Sequence, residues 1–100
     1  PTENLEAYDY YLKGLDPFYR ETREGLEEAI PYFKKAIELA REMDFKSILG
    51  GAYFNLGLLH KAKKRTDKAR QSISEAIKIF EQCEAEIFVH QAREALESLQ

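Results

Sequence analysis

Four positions recur at a fixed interval, and that recurrence constrains the fold more than any other feature. Ala29, Phe33, Ala36 and Ile37 return as Ala69, Ile73, Ala76 and Ile77, each displaced by 40 residues in a chain of 100. A period in this range marks a supersecondary unit that buries its apolar face only by stacking on its neighbours. A single domain spanning 1–100 has room for about two such units and a terminating element. Little is left for a large catalytic cleft.

The unit is helical. Ala52, Tyr53, Leu56, Leu59 and His60 fall on one helical face, and Ala69, Ile73, Ala76, Ile77 and Phe80 fall on another. Between them Lys64, Arg65, Thr66 and Asp67 supply no apolar anchor. Thr66 reads as an N-cap with Asp67 in the first turn that follows, and so short a link makes an antiparallel hairpin. Leu26, Ala29, Ile30, Phe33, Ala36, Ile37 and Ala40 define an earlier helix, starting after Thr22 and running to about Asp44. A first helix, about Leu5 to Leu15, carries Leu5, Tyr8, Leu12 and Leu15, with Gly14, Asp16 and Pro17 ending or bending it. Ile87, Phe88, Ala92, Ala95, Leu96 and Leu99 make the last. The expected class is all-α, five helices without a strand.

Pro31 opposes this scheme, because proline inside a helix removes a hydrogen bond and clashes with the preceding turn. The apolar period runs through it unbroken, so a kinked helix is expected, with a break into two pieces as the alternative.

The net charge of -3 hides a strong asymmetry. Residues 1–46 carry 7 basic and 11 acidic side chains, residues 47–80 carry 7 and 2, and residues 81–100 carry 1 and 5. The segments therefore stand at -4, +5 and -4. The positive excess is Lys61, Lys63, Lys64, Arg65, Lys68 and Arg70, gathered about one turn as a cationic knob. Such a knob is either a solvated turn or a patch that steers acidic partners. Nucleic acid is disfavoured, since no aromatic residue lies between Lys61 and Arg70 to stack a base.

The fragment Tyr53, Leu56, Gly57, His60, Ala69, Ile73, Ala76 resembles the tetratricopeptide repeat, whose signature sets a large residue, Leu-Gly, a ring, Ala, a ring and Ala at these steps. Gly57 and Ala69 are the small residues where the two helices cross, and Tyr53, Leu56 and Ile73 fill the space around them. The likeness is fullest over residues 50–83 and implies a right-handed superhelical stack of antiparallel helix pairs. Repeat 1 is expected at about 5–44 with a short insertion near 15–22, repeat 2 at about 47–83, and a capping helix at about 86–99. The Gly57 equivalent there is Glu97, which obstructs a further close helix and suits a solvating cap. The period of 40 rather than 34 resembles the long-repeat variant found in bacterial signalling and regulatory proteins.

That resemblance implies a concave groove, lined by the first helix of each pair, which takes a peptide or helix from a partner protein. The positions it assigns are Tyr8, Tyr11, Gly51, Phe54, Asn55, Leu58 and Lys61. In relatives that clamp a carboxylate, an Asn at the place of Asn55 bonds the peptide, but the accompanying cations are missing here. A mixed apolar and aromatic groove is expected instead. Tyr8, Tyr10, Tyr11, Phe18 and Tyr19 are more rings than one helix face can bury, so some are exposed. Two repeats make a short stack with a weakly capped first helix. A homodimer, or an upstream domain of the same chain, would cover it, and an oligomerisation role in a larger signalling protein is the competing reading. The start at Pro1 suits a piece of such a protein.

Enzymatic readings find no support. His60 and His90 lie 30 residues apart, and His60 takes the family's ring position as packing. There is no paired His or Cys motif and no phosphate loop around Gly50-Gly51, so neither metal nor cofactor is expected. Glu27-Glu28 and Glu84-Ala85-Glu86 read as solvated faces. Cys83 is expected half-buried and unreactive beside Glu81, Glu84 and Glu86. A lone cysteine fits a reducing compartment, hence a cytoplasmic location, and no apolar run approaches membrane length.

Overall fold

A computed structural model describes residues 2–99, with side chains from Asn4 onward. Five helices follow in order, α1 (Thr2–Arg20), α2 (Arg23–Glu42), α3 (Lys46–Ala62), α4 (Thr66–Gln82) and α5 (Glu86–Glu97). The described residues contain no strand. α1 packs on α2 and α3 on α4 as antiparallel pairs, α2 joins the pairs, and α5 closes the stack against α4. The repeat-defining positions are its core. Ala29, Phe33, Ala36, Ala69, Ile73 and Ala76 are fully buried, Leu56 and Gly57 are buried, and Tyr53 is half-buried.

Close approach at two glycines sets the pairing. A Cβ on Gly57 would lie 2.5 Å from Ile73 Cγ1, and one on Gly14 would lie 2.9 Å from Phe33 Cε1. Phe33 and Ile73 are equivalent under the 40-residue period, so Gly14 and Gly57 perform the same task in successive pairs. Only a residue without a side chain lets the helices meet at this distance.

The links between helices repeat as well. Asp44, Lys64 and Glu84, 20 residues apart, all adopt left-handed backbone with φ of 55°, 61° and 55°. After each, a backbone N–H reaches back into the preceding helix: Phe45 to the Ala40 carbonyl at 2.8 Å, Arg65 to His60 at 2.8 Å, Ala85 to Phe80 at 3.0 Å. This satisfies the last turn of each helix without glycine.

Several expectations require correction. α1 does not stop near Leu15; it continues through Gly14 and a buried Pro17 to Arg20, so residues 15–20 are helix, and the three residues by which the Gly14-to-Phe33 stretch exceeds the Gly57-to-Ile73 stretch are taken up in helix rather than in a loop. Only Glu21, at φ 55°, and Thr22 link α1 to α2. α2 is continuous through Pro31, which excludes a break. Pro31 and Glu27 are both exposed, so water has access to the carbonyl that proline leaves without a donor. Thr66 is the first helical residue rather than the cap; Arg65 holds that position and no side chain caps α4. Thr22 does cap α2, accepting from the Gly25 N–H at 2.9 Å. Cys83 is exposed, because it terminates α4 beyond the last turn that packs.

Candidate partner-binding groove

Setting Gly14 on Gly57 displaces α1 by 43 residues and places Tyr8 on Gly51, Tyr11 on Phe54, Leu12 on Asn55, Leu15 on Leu58 and Phe18 on Lys61. The same register puts Glu6, Asp9, Lys13 and Asp16 on Leu49, Ala52, Leu56 and Leu59. On α3 those four are buried in the core shared with α2; on α1 all are exposed. The arc of α1 where a further repeat would dock is thus polar, while Leu5, Tyr8, Leu12 and Tyr19 on the adjoining arc are exposed. At the other end Ala92 is buried, while His90, Arg93 and Glu97 face solvent along with Ile87 and Phe88.

The groove floor is the contact between α1 and α3. Asn55 is only 8% exposed and donates from Nδ2 to the Tyr11 phenol at 3.2 Å. Tyr11 also covers Gly51, whose added Cβ would stand 3.1 Å from its Oη, and leans on Phe33 with ring centroids 5.8 Å apart. Burial pushes the Tyr11 pKa up, the Asn55 bond pulls it down, and the nearby Tyr19 and Tyr8 push it up again. Tyr11 is therefore a neutral, fixed wall. Asn55 thus shapes the groove through Tyr11, with its Nδ2 engaged there and little of the side chain open to solvent.

Phe54 and Leu58 are half-buried on α3, and Tyr8 is 46% exposed at the groove's lip. At the far end a cavity of about 290 Å³ opens between Phe18, Leu26, Leu58 and Ala62, with Glu21 at its edge. It adjoins an indentation of about 530 Å³ that shares Leu26 and Ala62 and is bordered by Arg23, Glu27, Lys63, Lys64 and Arg65. Sequence reasoning had not joined Phe18 and Leu26 to the site; the Gly14 register supplies the signal for Phe18.

Three of the six basic residues have partners of their own. Lys61 donates to Ser98 Oγ at 2.6 Å, Lys63 pairs with Glu27, and Arg70 lies 3.4 Å from Asp67. Lys64, Arg65 and Lys68 make no ion pair with another described residue. Their field reaches inward: burial lowers the His60 pKa first, then Lys68, Arg65, Lys34 and Lys63. His60 is 6% exposed, and its buried Nδ1 has no hydrogen-bond partner. Among the described residues no three His, Cys, Asp or Glu side chains are placed to hold a metal ion, and no helix is long and apolar enough to cross a membrane.

Comparison with known families matches two segments, residues 26–43 and 50–83, to the model of the tetratricopeptide repeat. The matched segments contain α4 and most of α2 and α3. Searches of curated proteins and of solved structures returned no match.

Proposed function

The chain belongs to the tetratricopeptide-repeat family, whose repeats are generally protein–protein interaction modules and typically non-catalytic, and on that premise we propose that it captures a peptide or helix of a partner protein in the groove between α1 and α3. The observation that carries this reading is the end of that groove. The apolar cavity of Phe18, Leu26, Leu58 and Ala62 opens directly beside Arg23, Lys64 and Arg65. An apolar side chain fits the first and an acidic flank suits the second, with the cations speeding encounter more than they tighten the complex. Phe54 and Leu58 provide the apolar contact, Tyr11 and Tyr8 the aromatic wall, and Gly51 the room for Tyr11. Lys61 stands at the groove's edge. The chain acts as a cytoplasmic scaffold without a cofactor, in a signalling or regulatory protein.

A peptide selected from a random library by display against this chain supplies the ligand. Phe54→Ala and Leu58→Asp should each weaken its binding about tenfold or more, with helicity retained. Unchanged affinity in both variants would place the interface elsewhere.

A second reading, an oligomerisation domain, is favoured by one observation: four of the six large apolar side chains exposed among the described residues are on α1.

A further inference from the structure

Leu5, Tyr8, Leu12, Leu15 and Tyr19 follow one another on α1 at intervals of three, four, three and four residues. At 3.6 residues per turn they fall within an arc of about 80°. The face that packs on the core is a different one, built from Ala7, Gly14 and Pro17 with Tyr10, Tyr11 and Phe18 beside them. Leu15 is half-buried, but Leu5 is 69% exposed, Tyr8 46%, Leu12 44% and Tyr19 70%. The helix thus has two apolar faces, and its own fold uses one. An alternating three-and-four spacing is the seam by which two helices interlock side chains along their length.

We propose that this stripe is the interface for a second copy of the chain, packed antiparallel about a twofold axis near Leu12. Under that axis Leu5 faces the Tyr19 of the other copy, Tyr8 approaches Leu15, and Leu12 meets itself. Size is complementary along the seam, since each ring is opposed by an aliphatic side chain. Charge is complementary in the main. Beside the stripe the first half of α1 carries the acids Glu6 and Asp9, and the second half carries the cations Lys13 and Arg20 with one acid, Asp16. The antiparallel copy brings Glu6 toward Arg20 and Asp9 toward Lys13, whereas a parallel copy would set Glu6 on Glu6. The existing pairs within one copy, Lys13 with Asp9 at 2.9 Å and Arg20 with Asp16 at 2.9 Å, are exposed and exchange partners readily. A twofold contact of this kind closes on itself and stops at two copies. The occupant is a copy rather than another repeat, because the adjoining arc of Glu6, Asp9, Lys13 and Asp16 gives a stacked helix no apolar bed. The inference goes beyond capture in the groove and does not depend on it, though the two share Tyr8, so a peptide that reaches Tyr8 competes with the second copy.

Sedimentation equilibrium on the full chain at about 100 μM should give twice the 11.6 kDa of one copy. Leu12→Asp should give a single copy with unchanged helicity. A wild-type chain that sediments as 11.6 kDa, or a folded Leu12→Asp variant that remains double, overturns the proposal. Orientation is read separately in a Cys83→Ser background, where no other thiol is present. Oxidation should link Leu12→Cys to itself and Leu5→Cys to Tyr19→Cys in a mixture. Efficient linkage of Leu5→Cys to itself would show a parallel pair and overturn the antiparallel assignment. The thiol variants remain informative if Leu12→Asp fails to fold, and loss of the double mass leaves the groove reading standing.

Discussion

Asn55 and Tyr11, 44 residues apart in sequence, are joined by one hydrogen bond that holds α3 against α1 at the groove floor. Because Asn55 is buried, removing its acceptor leaves an amide without a partner, and such a group costs more than the bond itself contributes. Tyr11→Phe should destabilise the chain by about 1–2 kcal/mol. Combining it with Asn55→Leu should recover part of that loss, since both polar partners then disappear together. Chemical denaturation of the two single variants and the double variant gives the coupling. Strict additivity would show that the bond contributes nothing.

The glycines predict opposite signs at two positions. Gly57→Ala drives a methyl to 2.5 Å from Ile73 Cγ1, a branched side chain fixed in the core. It should cost about 1–3 kcal/mol despite alanine's better helix propensity. Gly51→Ala meets the Tyr11 ring edge at 3.1 to 3.4 Å, a milder approach that a shift of a few tenths of an ångström relieves without moving the ring from its place. It should be neutral or stabilising by up to about 1 kcal/mol. Thermal melts of the two variants decide the matter, and a destabilised Gly51→Ala beside a tolerated Gly57→Ala would contradict the packing described.

Lys64 and Glu84 hold left-handed backbone that disfavours a side chain. Lys64→Gly and Glu84→Gly should each stabilise the chain by about 0.5–1 kcal/mol, a rise in Tm of several degrees for a domain this size. Thr22→Ala should cost about 1 kcal/mol through the lost cap, whereas Thr66→Ala, which caps nothing, should be close to silent. Equal effects at Thr22 and Thr66 would contradict the difference in capping.

The His60 pKa is lowered by burial and by the surrounding cations, so the folded chain binds its proton less readily than the unfolded chain does. Stability should therefore fall as pH drops through the ordinary histidine range, near 6.5, and level off below the lowered folded value. His60→Phe should flatten that part of the profile. Denaturation midpoints measured from pH 7.5 to 5 test it, and an unchanged slope in the variant would assign the dependence to other groups.

The helices α2, α3 and α4 were legible because their buried faces are built from large apolar residues or alanine at regular spacing, so period and burial coincide. In α1 they do not. Its periodic apolar residues Leu5, Tyr8, Leu12 and Tyr19 point outward, and the packed face sets Tyr10, Tyr11 and Phe18 around Ala7, Gly14 and Pro17, which hydropathy passes over. Register would have found it, since Leu12-Lys13-Gly14 sets Gly14 on Gly57 and everything else follows. The links escaped for a related reason. Left-handed residues are read from glycine, and Glu21, Asp44, Lys64 and Glu84 carry side chains. Asn55 was visible as a groove position, but its burial depends on a tyrosine from another helix, which local spacing cannot convey.

The most direct test of the central claim is to map the bound peptide on the chain. With a display-selected peptide titrated into the isotopically labelled protein, backbone amide shifts should move at Tyr11, Gly51, Phe54, Leu58 and Ala62. Shifts confined to the outer faces of α2 and α4, around Lys35 and Lys78, with the α1–α3 groove unmoved, would contradict the account.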